Sequence, residues 1–278
     1  MKKRASTILL VLIFIVGAGL LLYPKFSDWW NSFHQSRAIM NYTETVSGLS
    51  PEEYDRLYNA AVDFNNRIPE RPNPFVLPES QVAEYESLLN LGENGIMGYI
   101  DIPAINCYLP IYHGTDEAVL QTSIGHLDWT SLPVGGPGTH CVLSGHRGLP
   151  SARLFTDLDR IVVGDTFKLC VLDEILTYEV DQILIVEPED ISALQVEPGK
   201  DYCTLVTCTP YGINTHRILC RGHRIANENE TSVRVAADGA QIEPVVVAPV
   251  IGVPLLVVLI TSQLILDRRR PKDDWDEY

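Results

Sequence analysis

The chain has 278 residues, enough for one or two domains, and carries 21 Lys and Arg against 36 Asp and Glu, a net charge of −15. This acidity argues against nucleic acid as a partner, since phosphate binding needs clustered positive charge. The six cysteines include no C-x-x-C pair, so neither a zinc knuckle nor a thioredoxin-type redox pair is encoded.

Both ends of the sequence hold an apolar run long enough to cross a bilayer. Residues 7–23, TILLVLIFIVGAGLLLY, follow the basic start MKKR and predict a transmembrane anchor, with a cleaved signal peptide as the alternative. Residues 245–266 predict a second transmembrane helix, and an arginine cluster follows it. The positive-inside rule then puts residues 1–6 and 267–278 in the cytoplasm, and residues 24–244, between the two spans, outside the cell.

The segment after the first span, residues 24–97, predicts helices and one irregular loop. A helix over 27–46 leaves the membrane, and a second begins at SPEEYDRLYNAAVDFNNRI, where Ser50 caps the helix and Glu53 completes a capping box. The stretch PERPNPFVLPES contains four prolines and predicts an extended loop.

From Gly98 onward the apolar residues recur with a period of two. Seven short strands are predicted, at MGYIDIP, INCYLPIYHG, THCVLSGH, DTFKLCVL, LTYEVDQILIVEP, CTLVTC and THRILCRGHRI. A short helix is predicted at SARLFTDLDR, capped by Ser151. Many strands with brief helices indicate a mainly β domain, a closed barrel over 98–225, followed by a stalk over 226–244.

One cysteine differs in context from the other five. Cys208 closes the run TLVTC before Thr209-Pro210, so its thiol is expected at a strand end beside a loop. The others lie inside apolar runs, which favours buried free thiols over the disulfides that an extracellular position permits: Cys107, Cys141, Cys170, Cys203 and Cys220.

A cysteine nucleophile needs a cation or a base nearby. The chain turns after Cys208 through YGIN, and this hairpin puts Arg217 level with the thiol. A guanidinium there stays charged and suits a thiolate or an oxyanion. Of the seven histidines, His146 ranks first as the base because it also lies at a strand end; an ordinary surface histidine is the alternative.

Together these residues resemble the sortases, membrane-anchored cysteine transpeptidases of Gram-positive bacteria. The resemblance rests on TLVTC, NTHR and the upstream SGHRG, and runs from about Gly98 to Arg224. More narrowly, TCTPYGINTHR, RGHR and the C-terminal span are similar to the pilin-polymerising class C. The family pattern of a Cys, an upstream His and an Arg on the following strand falls on Cys208, His146 and Arg217.

The resemblance implies an eight-stranded sortase barrel that needs no cofactor and no metal. It implies that a thiolate attacks the Thr–Gly bond of an LPxTG-like sorting signal, and that an amine resolves the thioacyl enzyme. In class C that amine is a pilin lysine. It also implies a lid at Asn73, Pro74 and Phe75, although Asn73 stands where the family has Asp.

Other interpretations remain at this point. The same chemistry would serve cell-wall anchoring if the amine came from a peptidoglycan precursor. A non-catalytic β-barrel binding module with an inert cysteine is a different class. Papain-like proteolysis fits less well, because that fold starts a helix at its nucleophile and Pro210 follows Cys208 too closely.

Overall fold

A computed structural model describes residues 2–92 and 94–227. Four α-helices lie in this part of the chain: α1 Lys2–Ser47, α2 Pro51–Asn66, α3 Glu79–Ser87 and α4 Glu117–Leu120. The eight strands are β1 Ile96–Ile102, β2 Cys107–His113, β3 Ile124–His126, β4 Thr139–Gly145, β5 Thr166–Val171, β6 Glu174–Val186, β7 Asp201–Thr209 and β8 His216–Arg224. Single 3-10 turns lie at Ile68–Glu70, Pro103–Ile105, Leu158–Arg160 and Ser192–Leu194.

The strands close into a barrel in the order β1-β2-β3-β4-β7-β8-β6-β5. Two of the neighbouring pairs, β2 with β3 and β4 with β7, are parallel, and the others are antiparallel. The eight-stranded, mainly β barrel preceded by helices is therefore confirmed. Most of the predicted stalk, together with the second span over 245–266 and the tail over 267–278, lies outside the described residues.

The N-terminal helices follow local sequence signals. Helix α1 continues through Pro24 without a break, and Leu10–Ser47 is long and apolar enough to cross a membrane by length and composition. Helix α2 begins as predicted, because the Ser50 hydroxyl accepts from the Glu53 backbone N–H while the Glu53 carboxylate accepts from Ser50 N–H. These caps satisfy backbone donors that a helix start otherwise leaves unpaired.

Alternation along the strands divides the apolar residues into two sets. The main core fills the barrel and includes Ile100, Phe167, Tyr178 and Leu205, all fully buried. A second, smaller cluster lies on the opposite face of the sheet and contains Val142, Leu194, Val206 and Leu219. The connection between β6 and β7 contributes Leu194 to this second cluster, so that loop covers one face of the sheet.

Two local predictions need correction. The segment at 151–160 forms turns that end in the single 3-10 turn Leu158–Arg160, because Ser151 and Arg153 bond through their backbone to side chains of α1. Sequence periodicity also missed β3, which has only three residues and so offers too short a pattern to detect.

Asn65 of α2 ties the helix to the barrel through two hydrogen bonds. Its buried amide donates to the Leu132 carbonyl at 3.0 Å and accepts from the Leu132 N–H at 2.7 Å. We expect Asn65→Ala to lower the free energy of unfolding by about 2–4 kcal/mol, since two buried backbone groups lose their partner. Denaturant unfolding measures this, with the exposed Asn41→Ala as the matched control. Equal stability of the two variants would contradict the bridging role.

Candidate active site

Cys208 is the next-to-last residue of β7 and faces away from the barrel core. Alternation puts its side chain on the face of Val206, whereas Leu205 and Cys203 point inward. Cys208 is half-buried, while each of the other five cysteines is buried and free. The prediction of five buried thiols and one accessible thiol is confirmed.

Burial separates the other thiols from reactivity. Desolvation raises the pKa of Cys107 and of Cys220 to about 12, and it also raises the pKa of Cys170. At neutral pH these groups remain protonated and are poor nucleophiles. Cys141 differs, because hydrogen bonds with Cys203 and His126 outweigh desolvation and lower its pKa, but its side chain is buried and out of a substrate's reach. Among the described cysteines, Cys208 is the one that is not buried, so it is best placed for covalent chemistry.

Arg217 lies directly across from Cys208. The antiparallel register of β7 and β8 pairs the two residues, as the hairpin length predicted. One guanidinium nitrogen of Arg217 donates to the carbonyls of Asn214, at 3.3 Å, and His216, at 3.1 Å. These bonds hold the charged group at the turn, on the same face of the sheet as the thiol.

His146 reaches the same face from the other side of β7. Strands β4 and β7 run parallel with Ser144 opposite Val206, so two residues further on His146 comes level with Cys208. The His146 ring nitrogen Nε2 lies 3.8 Å from a carboxylate oxygen of Glu117, which is exposed at the start of α4. The imidazole, the thiol and the guanidinium thus lie at the same end of the barrel.

Three other histidines are held by buried contacts. The His126 ring bonds to the Tyr85 hydroxyl at 3.0 Å and to the Ser131 carbonyl at 2.8 Å. The His140 ring bonds to the Gln195 carbonyl at 2.9 Å and to the Thr204 hydroxyl at 2.7 Å. Desolvation lowers the pKa of His140 and of His113, which keeps these rings neutral. These buried contacts indicate structural roles for the three rings, so each is a poorer candidate for the base than His146.

An apolar cavity borders the second cluster and shares Leu194 and Trp129 with it. The cavity is lined by Pro74, Phe75, Trp129, His140, Leu194 and Pro198, among others. The Phe75 ring stands edge-on to Trp129, with ring centroids 5.5 Å apart. The proline-rich loop therefore forms part of the wall of this cavity, and its aromatic residue packs against Trp129.

Two further contacts shape that loop. Asn73 accepts a hydrogen bond from the Phe75 N–H at 3.0 Å, which closes a local turn. Buried Arg71 donates to the Trp129 carbonyl at 3.1 Å and to the Gln81 side chain at 3.0 Å, so it fastens the base of the loop to the wall of the cavity. The role of Arg71 could not be predicted from the sequence, because a single arginine between prolines carries no local signal of its partners.

Comparisons with known proteins show which family this sequence resembles. A model described as the Sortase domain matches residues 100–225. Sortase A of Streptococcus agalactiae serotype III (strain NEM316) is 32% identical over 205 residues, which cover 73% of this chain and 77% of that protein. The chain belongs to the sortase family. It is accordingly a cysteine transpeptidase.

Solved structures of class C sortases are similar to this chain. The crystal structure of sortase C1 from Streptococcus agalactiae has 52% sequence identity and a TM-score of 0.67, covering 69% of this sortase and 100% of that chain. Sortase C from Streptococcus pneumoniae, described for its catalysis and pilin substrate specificity, has 44% identity and a TM-score of 0.62, covering 69% of this sortase and 97% of that chain.

Within residues 2–92 and 94–227 of this sortase, no group of three or more His, Cys, Asp or Glu could hold a metal ion.

Arg147 is a second residue that the sequence analysis did not single out. Its side chain is only 8% exposed, although it follows His146 in a loop. It donates to the Thr209 hydroxyl at 3.1 Å, forms an ion pair with Asp159, and lies over the Tyr211 ring. It thus connects the segment after His146 to the segment after Cys208, and the sequence signal was the arginine directly after the candidate base.

We expect Arg147→Met to lower kcat on a sorting-signal peptide by about tenfold or more, because small displacements of paired catalytic groups are costly. Arg147→Lys should restore part of the rate, since an ammonium can replace one of the three contacts. Peptide turnover and thermal unfolding measure the two effects separately. Arg153→Met, in the same loop with a 55% exposed side chain, is the matched control. Wild-type kcat in Arg147→Met would contradict a positioning role.

Proposed function

We propose that this sortase cleaves an LPxTG-like sorting signal between Thr and Gly and joins the Thr carboxyl group to a lysine amine of a pilin subunit. Cys208 is the nucleophile, His146 the general acid and base, and Arg217 the group that orients the substrate or stabilises the oxyanion. The observation that supports the proposal is the strand register: it pairs the accessible Cys208 with Arg217, and it aligns the end of β4, two residues before His146, with Val206 on the same strand as Cys208.

In the first half-reaction the Cys208 thiolate attacks the Thr carbonyl carbon and forms a tetrahedral oxyanion. Arg217 carries the positive charge that favours this oxyanion. Collapse breaks the Thr–Gly C–N bond, and His146 gives a proton to the departing Gly amine. The product is a thioester between Cys208 and the substrate, with the Gly-containing fragment released.

In the second half-reaction an amine attacks the thioester and Cys208 leaves as the thiolate. His146 accepts the proton that the amine loses, which returns the site to its starting charge. The class C structural neighbours support a pilin lysine as this amine. The relative named Sortase A supports the alternative, a peptidoglycan-precursor amine that anchors surface proteins to the cell wall.

The same proposal places the enzyme at the cell membrane. The apolar N-terminal helix supports an anchor over 7–23. The basic residues at both ends of the sequence support cytoplasmic termini and an extracellular barrel. In that arrangement the membrane-spanning segments are residues 7–23 and 245–266, and the barrel over 98–225 meets its protein substrates outside the cell.

The catalytic assignment is tested with full-length enzyme in detergent, a sorting-signal peptide and purified pilin. Cys208→Ala should give neither thioester nor cross-linked product. His146→Ala and Arg217→Ala should each lower turnover by about 10²–10⁴-fold. His223→Ala and Arg224→Ala, at the far end of β8, are matched controls and should retain activity.

Mass spectrometry of the products separates the two acceptors. An isopeptide bond to a pilin lysine supports pilus polymerisation, whereas transfer only to a peptidoglycan-type amine supports wall anchoring. Wild-type turnover by Arg217→Ala would contradict the role of Arg217, and activity in Cys208→Ala would overturn the mechanism.

We also propose that Asn73, Pro74 and Phe75 act as a lid over a substrate groove that leads to Cys208. The contact of Phe75 with Trp129 supports this role, as does the anchoring of the loop base by Arg71. Phe75 is half-buried, so its docking is worth on the order of 1–2 kcal/mol. A lid of this strength stays mostly closed, yet a substrate that fills the groove displaces it.

We expect Phe75→Ala to raise the rate at which a bulky thiol reagent labels Cys208, by roughly fivefold to tenfold, because the closed state loses its aromatic contact. Val76→Ala, at an exposed neighbouring position, should leave the rate unchanged. Mass spectrometry of the intact protein follows the labelling, and near-UV circular dichroism checks the fold. Equal labelling rates in folded Phe75→Ala and wild type would mean that the segment is only a connector.

A further inference from the structure

We propose that the end of the barrel holding Cys208, His146 and Arg217 lies at the surface of the bilayer that holds α1, so that the enzyme receives its peptide at the lipid headgroup layer. Two segments, 115–123 and 146–157, form the surface that faces lipid. The inference rests on the proposed membrane anchor and adds an orientation to it.

Helix α1 joins the apolar run and the barrel without a flexible linker. It is one helix from Lys2 to Ser47, and its C-terminal part packs on the barrel through buried Ile39, Tyr42 and Val46. An uninterrupted helix transmits orientation, because each residue advances about 1.5 Å along a fixed axis. The direction of the apolar run therefore determines which part of the barrel comes nearest to the membrane.

The hydrogen bonds of α1 show which part of the barrel lies nearest to the apolar run. Asp28 accepts from the Arg153 N–H at 2.8 Å, and Asn31 donates to the Ser151 carbonyl at 2.8 Å. Both partners belong to the loop that directly follows His146. One turn further from the apolar run, Gln35 donates to the Thr122 carbonyl, in the loop after the helix that carries Glu117.

The contacts furthest from the apolar run belong to the opposite end of the barrel. The Tyr42 hydroxyl donates to the Met97 carbonyl at 3.1 Å and accepts from the Leu172 N–H at 2.7 Å. Met97 is near the start of β1 and Leu172 follows the end of β5. Strand β1 runs in the same direction as β4 and β7, and β5 runs against it, so the start of β1 and the end of β5 both lie at the end of the barrel where β4 and β7 begin. The order along α1 thus runs from the catalytic end to the opposite end.

Distances along the helix bring the catalytic end close to lipid. Tyr23 closes the apolar run, and Asp28 and Asn31 lie about 8 and 12 Å beyond it along the helix axis. One headgroup layer is roughly 5–8 Å thick, so Ser151 and Arg153 come to its outer edge. Four aromatic side chains on this part of α1 are more than half exposed, as in an interfacial belt: Phe26, Trp29, Trp30 and Phe33.

This orientation matters for catalysis because it favours a peptide tethered to the same membrane. A tether raises the local concentration of the peptide most when its length matches the distance it must span. With the thiol facing the bilayer, a short tether suffices. With the thiol at the distant end, the peptide would have to pass along the whole height of the barrel.

Fluorescence quenching in vesicles tests the orientation itself. Full-length protein carries a thiol-reactive fluorophore on Cys208, and nitroxide-headgroup lipids quench it. The comparison protein is Cys208→Ala combined with Asp173→Cys, which labels an exposed turn between β5 and β6 at the opposite end. We expect several-fold stronger quenching at position 208 than at position 173. Equal quenching, or stronger quenching at 173, overturns the orientation.

A second experiment keeps the inference separate from the proposed chemistry. Seven helix-forming residues inserted between Lys25 and Phe26 raise the barrel by about 10.5 Å while nearly preserving its rotation. We expect the variant to lose, several-fold, its rate on a sorting-signal peptide held to the vesicle by a short lipid tether, while its rate on the free peptide stays at the wild-type value. An unchanged rate on the tethered peptide overturns the inference. If wild-type enzyme processes neither peptide, the proposed function fails, while the quenching result still decides the orientation.

Discussion

The register of β7 is the constraint on which the site depends. This strand pairs in parallel with β4 and antiparallel with β8, so a one-residue slip would turn the Cys208 thiol into the core and separate it from its partners. Two features hold the register. The buried Thr207 hydroxyl donates to the Gly145 carbonyl at 2.7 Å, beside the thiol. At Gly222 a side chain would meet the ring of Phe167 at 2.7 Å, so only glycine fits there without rearrangement.

Burial distinguishes the one usable thiol from its neighbours. The barrel contains several cysteines that behave as small apolar side chains, and desolvation raises the pKa of Cys107 and Cys220. Cys208 is only half-buried because it lies at a strand end. Its side chain is on the face of the sheet that the β6–β7 connection covers. The same face carries the apolar cluster of Val142, Val206 and Leu219, so the thiol lies on the same face as this cluster.

Helix α1 gives the sortase a continuous element from the apolar run to the barrel wall. Its polar contacts with the loops after His146 make those loops part of one rigid surface with the helix. Arg147 performs a comparable function within the site, because one buried guanidinium joins the segments that follow the candidate base and the candidate nucleophile. In both cases a few long-range polar contacts help to fix where the segments of the site lie.

The sequence by itself determined the features that depend on near neighbours. The Ser50 capping box, the strand that ends at Thr209 and the pairing of Cys208 with Arg217 follow from caps, alternation and hairpin length. Only the tertiary structure decided where distant segments meet. Thr207 reaches the carbonyl of Gly145, and the 151–160 segment exchanges a local helix for bonds to α1. Such contacts join residues more than sixty positions apart, and no local pattern records them, because their free energy arises only when the closed barrel brings both segments together.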